Sequence, residues 1–134
     1  MLDQISCYFT TVVGHGIFVF LLFFNQDPFL LASLPAGITQ ISEQSRVSFA
    51  VLLALFIVTD LVEVANLTIG VPSSRLIMFS TTCHALSALF LLKFSTDLHP
   101  VSHFWWLFGL LSVPPFIIAL SKIAHSLLPN KASR

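Results

Sequence analysis

The sequence predicts an all-α integral membrane protein, folded as a four-helix bundle with short connections. Apolar residues make up 56% of the 134 residues and charged residues only 9%, whereas a soluble domain carries about 25% charged residues. Four apolar segments reach the roughly 20 residues that a helix needs to cross a bilayer. No polar stretch is long enough for a separate soluble domain, so residues 1–134 are predicted to form a single domain.

The four predicted spans follow one another along the whole chain. They are Ile5–Phe24, Val47–Ile69, Leu76–Phe94 and Phe104–Leu128. The first span has no basic segment before it, and its apolar run is longer than the roughly 7–15 residues of a signal peptide. We therefore expect this segment to be retained as a membrane helix.

The connections between the predicted spans differ in kind. Residues 25–46 form the longest connection, and the apolar side chains of Phe29, Leu30 and Leu31 predict that it lies on the membrane surface. Residues 70–75 form a turn marked by Gly, Pro and Ser. Short connections of this kind make consecutive helices antiparallel neighbours in a bundle.

Three polar residues recur on one face of the second span. Asp60, Glu63 and Asn66 stand at positions i, i+3 and i+6. A carboxylate near the centre of a bilayer costs about 2.5–3.5 kcal/mol on insertion scales, so this face must meet other helices or a wet cavity. The favoured interpretation is that the three residues pair with polar groups of other spans and fix helix packing. A ligand pocket, a proton or cation path, and catalytic acids are the alternatives.

Two histidines accompany these acids at similar depth. His15 and His84 lie in the middle of the first and third spans, and alternating helix directions place them level with Asp60. We expect them to hydrogen-bond to Asp60, Glu63 or backbone carbonyls. Two histidines and two carboxylates could also bind Zn or Fe. However, no span carries the Glu-x-x-His or His-x-x-x-His spacing that places two ligands on one helix face, so no metal or cofactor is predicted.

The fourth span carries two further signals. Pro114 and Pro115 lack amide donors and clash with the preceding helical turn, which predicts a helix break, either a kink or a half-helix. Trp105 and Trp106 open the span, and paired tryptophans at the start of a membrane helix are typical of interfacial anchors.

The number and placement of charged residues limit the possible partners and indicate the orientation in the membrane. Six basic and six acidic residues give a net charge of zero, without the clustered Lys and Arg that nucleic-acid binding needs. Four spans place both termini on one side of the membrane. That side holds Arg75, Lys122, Lys131 and Arg134, and the other side holds Arg46 and Lys93. This excess of basic residues favours cytosolic termini.

The order and spacing of several short segments resemble a known family. They are Phe9–His15, Ser33–Pro35, Val62–Ala65, Gly70-Val71, His84–Ala88, Phe104–Trp106 and Ser112–Pro114. Together they cover almost the entire chain, which is similar to the transmembrane protein 107 family. The chain departs from that family in its less basic tail and in the absence of an acidic residue from Ala119–Lys122.

The resemblance implies a small four-span protein of the ciliary transition zone. Such a protein is a non-enzymatic membrane scaffold, associated with the Meckel-syndrome module, which supports cilium assembly and gates the composition of the ciliary membrane. Its implied partners are other transition-zone membrane and membrane-associated proteins, together with lipid. His15, Glu63 and His84 match family positions, so the resemblance implies packing or partner recognition for them and no catalytic residue.

Two other functions are compatible with the same residues. One is an intramembrane sterol- or lipid-binding protein, or a sterol-isomerase-like enzyme, in which Asp60, Glu63 and His84 would move protons on an apolar ligand. The other is a small accessory subunit of a large respiratory or photosynthetic membrane complex. Hydrophobic helices with short tails suit that role equally well.

Overall fold

The computed structural model describes residues 2–70 and 72–127, and within these ranges every regular element is a helix. The elements are α1 (Leu2–Phe24), α2 (Asp27–Ala32), α3 (Glu43–Ile69), α4 (Ser74–Asp97), α5 (Val101–Leu107), a π-helix (Phe108–Ser112) and α6 (Val113–Leu127). The predicted all-α class is confirmed.

Four stretches of helix are long and apolar enough to cross a membrane, which confirms the predicted number of spans. They are Asp3–Phe24, Glu43–Ile69, Ser74–Asp97 and Val101–Ser126. Leu128, where the sequence predicts the end of the last span, lies outside the described residues, as do Lys131 and Arg134.

The second span begins earlier than its hydropathy predicts, at Glu43 and not at Val47. Ser42 caps this helix, because its hydroxyl accepts a hydrogen bond from the Ser45 amide at 3.1 Å. Glu43 adds a negative charge to the first turn, where the helix dipole favours it. The additional turn is polar, so a search for apolar residues does not find it.

The sequence predicts that the long connection lies on the membrane surface, but the structure buries part of it in the bundle. Its short helix α2 buries Phe29 and Leu30, each only 2% exposed, in the bundle core. The Val101 amide donates to the hydroxyl of Ser33 at 2.8 Å, which ties the end of α2 to the start of α5. The connection therefore closes one end of the bundle.

The helices enclose two apolar clusters, one toward each end of the bundle. The larger cluster contains Val19, Leu22, Phe29, Leu30, Phe49, Leu52, Leu53, Phe56, Leu91, Phe104 and Leu107. The smaller one contains Tyr8, Val12 and Ile77. Helix α1 packs against α3 and α4, and α3 also packs against α6. The buried polar residues of α1, α3 and α4 lie together where these helices meet.

The fourth span is not broken at Pro114 and Pro115, so the predicted break takes a different form. The chain continues as one helical stretch from Val101 to Ser126, and the irregularity is the π-helix directly before the prolines. Because the two prolines cannot donate to the carbonyls of the preceding turn, a wider turn at this point relieves the clash. Trp105 and Trp106, 41% and 71% exposed, stand on the outer face near the start of the same span.

A buried polar cluster between the first three spans

Three helices contribute to one buried polar cluster. Its members are Tyr8 and His15 from α1, Asp60 and Glu63 from α3, and Ser80, His84 and Ser87 from α4. Each of these residues is at most 7% exposed. Residues three, four or seven apart share a helix face, and the members from each helix follow this spacing. The face of every helix that meets the other two is therefore polar at the same level.

Glu63 is the most densely bonded member of the polar cluster. The Tyr8 hydroxyl donates to Glu63 Oε2 at 3.1 Å, and the Ser80 hydroxyl donates to the same oxygen. His84 Nε2 lies 3.0 Å from the other carboxylate oxygen, Oε1. Both oxygens of Glu63 are thus bonded, to donors from α1 and α4, so this one side chain links three helices.

Asp60 makes the second link between the same helices. His15 Nδ1 lies 2.8 Å from Asp60 Oδ2, and His15 Nε2 lies 2.9 Å from the Ser87 hydroxyl. Because an ionised carboxylate only accepts hydrogen bonds, a neutral His15 donates from Nδ1 to Asp60 and accepts from Ser87 at Nε2. The chain of bonds runs from α3 through α1 to α4.

Two polar atoms in the polar cluster have no hydrogen-bond partner. Asp60 Oδ1 and His84 Nδ1 are both fully buried and unbonded, and they face each other at 3.5 Å. The rings of His15 and His84 lie beside them, with centroids 5.1 Å apart. Buried polar atoms are nearly always satisfied in folded proteins, so this unbonded pair is an exception that calls for an explanation.

Asn66 is the predicted site residue that the structure does not bring into the polar cluster. Its side chain is buried, but among the described residues no hydrogen bond joins it to Asp60, Glu63 or either histidine. It lines a cavity of about 20 Å³ together with Tyr8 and Glu63. A cavity of that size holds about one water molecule, so Asn66 lies beside the cluster without entering it.

The sequence did not lead us to predict Tyr8, Ser80 or Ser87 as members of the polar cluster. Their spacing carries the signal that would have found them. Tyr8 precedes His15 by two helical turns, and Ser80 and Ser87 flank His84 on one face of α4. Hydroxyl groups on the same face as an intramembrane histidine are natural hydrogen-bond partners for it.

Gly16 allows the Asp60 carboxylate to approach α1. A Cβ atom at this position would lie 3.2 Å from Asp60 Oδ2, closer than an ordinary van der Waals contact. We predict that Gly16→Ala lowers the stability of the bundle by about 1 kcal/mol, because Asp60 must move away from His15. Thermal unfolding of the purified chain in detergent measures this.

Gly14→Ala is the matched control for that substitution. Gly14 is on the same helix, but a Cβ there meets nothing within 4 Å. This variant should be neutral or slightly stabilising, because alanine is the better helix former. Equal destabilisation by the two variants would show that Asp60 does not depend on the space at Gly16.

The polar cluster is acidic overall. With both carboxylates ionised and both histidines neutral it carries two negative charges, and no Lys or Arg side chain of the described residues forms a salt bridge with it. His15, Asp60 and His84 each offer a ligand atom, and these atoms lie within 4.8 Å of one another. The arrangement can therefore hold helices together, share protons, or hold a cation.

Comparison with known families agrees with the sequence resemblance. The family TMEM107, described as a transmembrane protein, matches residues 4–123 of the 134. The matched region contains every member of the polar cluster. No curated protein and no solved structure matches the chain significantly. Because the family match extends over far more than half of the sequence, the chain belongs to the TMEM107 family of transmembrane proteins.

Proposed function

We propose that the protein is a non-enzymatic membrane scaffold of the ciliary transition zone, acting within the Meckel-syndrome module. In this role it supports cilium assembly and gates the composition of the ciliary membrane. Its partners are other transition-zone membrane and membrane-associated proteins, together with lipid. Membership of the TMEM107 family supports this proposal, because the sequence resemblance that implies it extends along the whole matched region.

One observation carries the structural part of the proposal: the intramembrane acids are bonded to neighbouring helices. Glu63 is 1% exposed, and Tyr8, Ser80 and His84 occupy its two oxygens. A catalytic acid needs an atom within reach of a substrate, whereas the cavity beside Glu63 measures only about 20 Å³. Glu63 held in this way suits a structural role better than a catalytic one.

The outer surface of the bundle fits lateral contact with lipid and with other membrane helices. Large apolar side chains point outward along every span, and they include Ile17, Phe20, Leu61, Leu89 and Leu110, all more than half exposed. With no large soluble portion among the described residues, contacts within the membrane are the main way to hold partners.

Localisation of a C-terminally tagged copy in ciliated cells tests the scaffold role. We expect a ring just distal to the basal body, between basal-body and axoneme markers, and co-purification of other transition-zone membrane proteins. Glu63→Ala should weaken the ring, because the bundle loses a junction between three helices. Glu43→Ala replaces an exposed acid on the same helix and should leave it unchanged.

Other locations of the wild-type signal would overturn the proposal. Signal throughout the endoplasmic reticulum or in mitochondria would reject the transition-zone role. Saturable sterol binding that Asp60→Asn abolishes would replace the scaffold with a ligand-binding protein. Migration with a respiratory or photosynthetic complex on a native gel would assign an accessory subunit.

We also propose that both termini face the cytosol. The hydroxyl of Ser74 donates to Gln4 Oε1 at 3.0 Å, so the turn before α4 lies at the same end of the bundle as the start of α1. Arg75 stands at this end, and basic residues near membrane helices favour the cytosolic side. Arg46 at the opposite end is paired with Asp27 at 2.7 Å.

Antibody access to two epitopes measures this orientation. We expect a C-terminal epitope to be stained after selective permeabilisation of the plasma membrane. An epitope inserted after Ala36, in the long connection, should be stained only when internal membranes are opened as well. The reverse pattern would place the termini on the other side.

A further inference from the structure

We propose that the polar cluster binds one divalent transition-metal ion of the Zn²⁺ or Fe²⁺ class, through His15, Asp60 and His84. This site is independent of the scaffold role, since a structural ion would serve either a scaffold or an enzyme. The three ligands come from three different helices, which explains why no spacing within a single span indicates them.

The strongest argument is the pair of unbonded atoms at the centre of the cluster. When His84 is neutral and donates its Nε2 proton to Glu63, its ring carries a lone pair at Nδ1. That lone pair faces Asp60 Oδ1 at 3.5 Å, and neither atom has another partner. Two acceptors facing each other in an apolar environment repel, unless a proton or a cation lies between them.

The spacing of the ligand atoms suits a small divalent cation. Zn²⁺ binds histidine nitrogen and carboxylate oxygen at about 2.0–2.2 Å, so tetrahedral ligand atoms lie about 3.3 Å apart. The Asp60 oxygens lie 2.8 Å from His15 Nδ1 and 3.5 Å from His84 Nδ1. Since the three ligand atoms lie within 4.8 Å of one another, binding needs them to approach by at most about 1.5 Å on that scale.

His84 already has the outer partner typical of metal-binding histidines, and His15 has a hydroxyl in the corresponding place. Such a residue almost always donates its other ring nitrogen to a carboxylate, carbonyl or water. His84 Nε2 bonds to Glu63 Oε1, which Tyr8 and Ser80 hold in place through the other oxygen. When His15 Nδ1 binds the metal, its proton moves to Nε2, which then donates to the Ser87 hydroxyl.

A divalent ion is one way to balance the charge of the polar cluster. If Asp60 and Glu63 are both ionised, they place two negative charges in a region with at most 5% exposure. An uncompensated charge is strongly unfavourable there, and one divalent cation cancels both charges without protonating any residue. Two added protons would cancel them as well, so metal content is the quantity that separates the two states.

The test measures metal bound to the purified full-length chain. The chain is isolated in detergent with an affinity tag that contains no histidine, exposed to Zn²⁺ or anaerobic Fe²⁺, and washed free of unbound metal. Elemental analysis should find about one ion per chain, as expected for a preformed site with three protein ligands. X-ray absorption at the metal edge should show nitrogen and oxygen ligands only, and this spectrum needs no variant.

Four variants locate the site. Asp60→Asn and His84→Gln each remove a ligand and should lose the ion. Ser87→Ala removes only an outer partner of His15, and it should weaken affinity by about 10–100-fold. Ser95→Ala, the matched control, removes a hydroxyl of the same helix that bonds only to the Leu91 carbonyl, so its metal content should equal that of the wild type. Gel filtration confirms that each variant remains folded.

A surface histidine pair needs its own control. His99 Nδ1 and His103 Nδ1 lie 2.8 Å apart on the exposed end of the bundle, where added metal could bind without any role. The double variant His99→Gln/His103→Gln should keep the ion. Loss of the ion in this variant, its retention in folded Asp60→Asn, a sulfur ligand in the spectrum, or a folded wild type without metal would each overturn the proposed site.

Discussion

Glu63→Ala is expected to lower the free energy of unfolding of the bundle by about 3 kcal/mol, because each buried polar group left unsatisfied costs about 1–3 kcal/mol. The substitution leaves three donors, from Tyr8, Ser80 and His84, without their acceptor inside the bundle. Single hydrogen bonds between membrane helices are worth about 0.6 kcal/mol on average, so the unpaired donors account for the larger loss. Reversible unfolding in mixed detergent micelles, followed by circular dichroism, measures it.

Two further variants show whether the loss comes from this junction. Glu63→Gln keeps the size of the side chain and one acceptor oxygen, so it should be clearly less destabilising. Glu43→Ala removes an exposed acid at the start of the same helix, and its effect should stay below about 1 kcal/mol, the upper end for a surface charge near a helix N-terminus. A Glu63→Ala chain as stable as Glu43→Ala would mean that the bonds to Glu63 do not stabilise the bundle.

Phe104→Ala should cause the second large loss, about 2 kcal/mol of unfolding free energy. The Phe104 ring is fully buried and lies 5.3 Å, centroid to centroid, from each of Phe29, Phe49 and Phe94 in edge-to-face contact. Removing it leaves a cavity and breaks three aromatic contacts. The expected loss is smaller than in water-soluble proteins. In a bilayer, lipid solvates the apolar surface that unfolding exposes, so the variant loses packing contacts and not a hydrophobic driving force.

Phe24→Ala is the control for this aromatic centre. The Phe24 ring is 76% exposed on the outer face, so its removal creates no cavity in the bundle. Its effect on unfolding should be within about 0.5 kcal/mol of zero. If both phenylalanine variants lost the same stability, a general loss of hydrophobicity would explain the result, and the four packed rings would have no special role.

Hydropathy was sufficient to predict the spans, because hydrocarbon imposes one length and one composition on every helix that crosses it. It also placed His15, Asp60 and His84 at one level, since alternating helices of known length leave little freedom in depth. The rotation of each helix about its own axis is not contained in hydropathy. Asn66 shares a face with Glu63 in the sequence, yet only Glu63 reaches α1 and α4.

Other features depend on contacts between distant parts of the chain. The sequence predicts a surface location for the connecting segment. Its burial depends on contacts of Phe29 with Phe49 and Phe104, which are distant in the sequence. The prolines predict an irregularity in the fourth span, but they do not predict that it takes the form of a π-helix directly before them. The pairing of Asp60 with two histidines requires three helices to be oriented at once, so no local pattern reveals it.

A double-mutant cycle between Tyr8 and Glu63 tests most directly whether the intramembrane acids join the helices. The unfolding free energies of the wild type, Tyr8→Phe, Glu63→Ala and the double variant are measured in the same micelles. The bond from the Tyr8 hydroxyl to Glu63 Oε2, 3.1 Å long, predicts a coupling energy of about 0.6–1.7 kcal/mol, the range found for hydrogen bonds between membrane helices. Effects that add to within about 0.3 kcal/mol would contradict the structural role of Glu63.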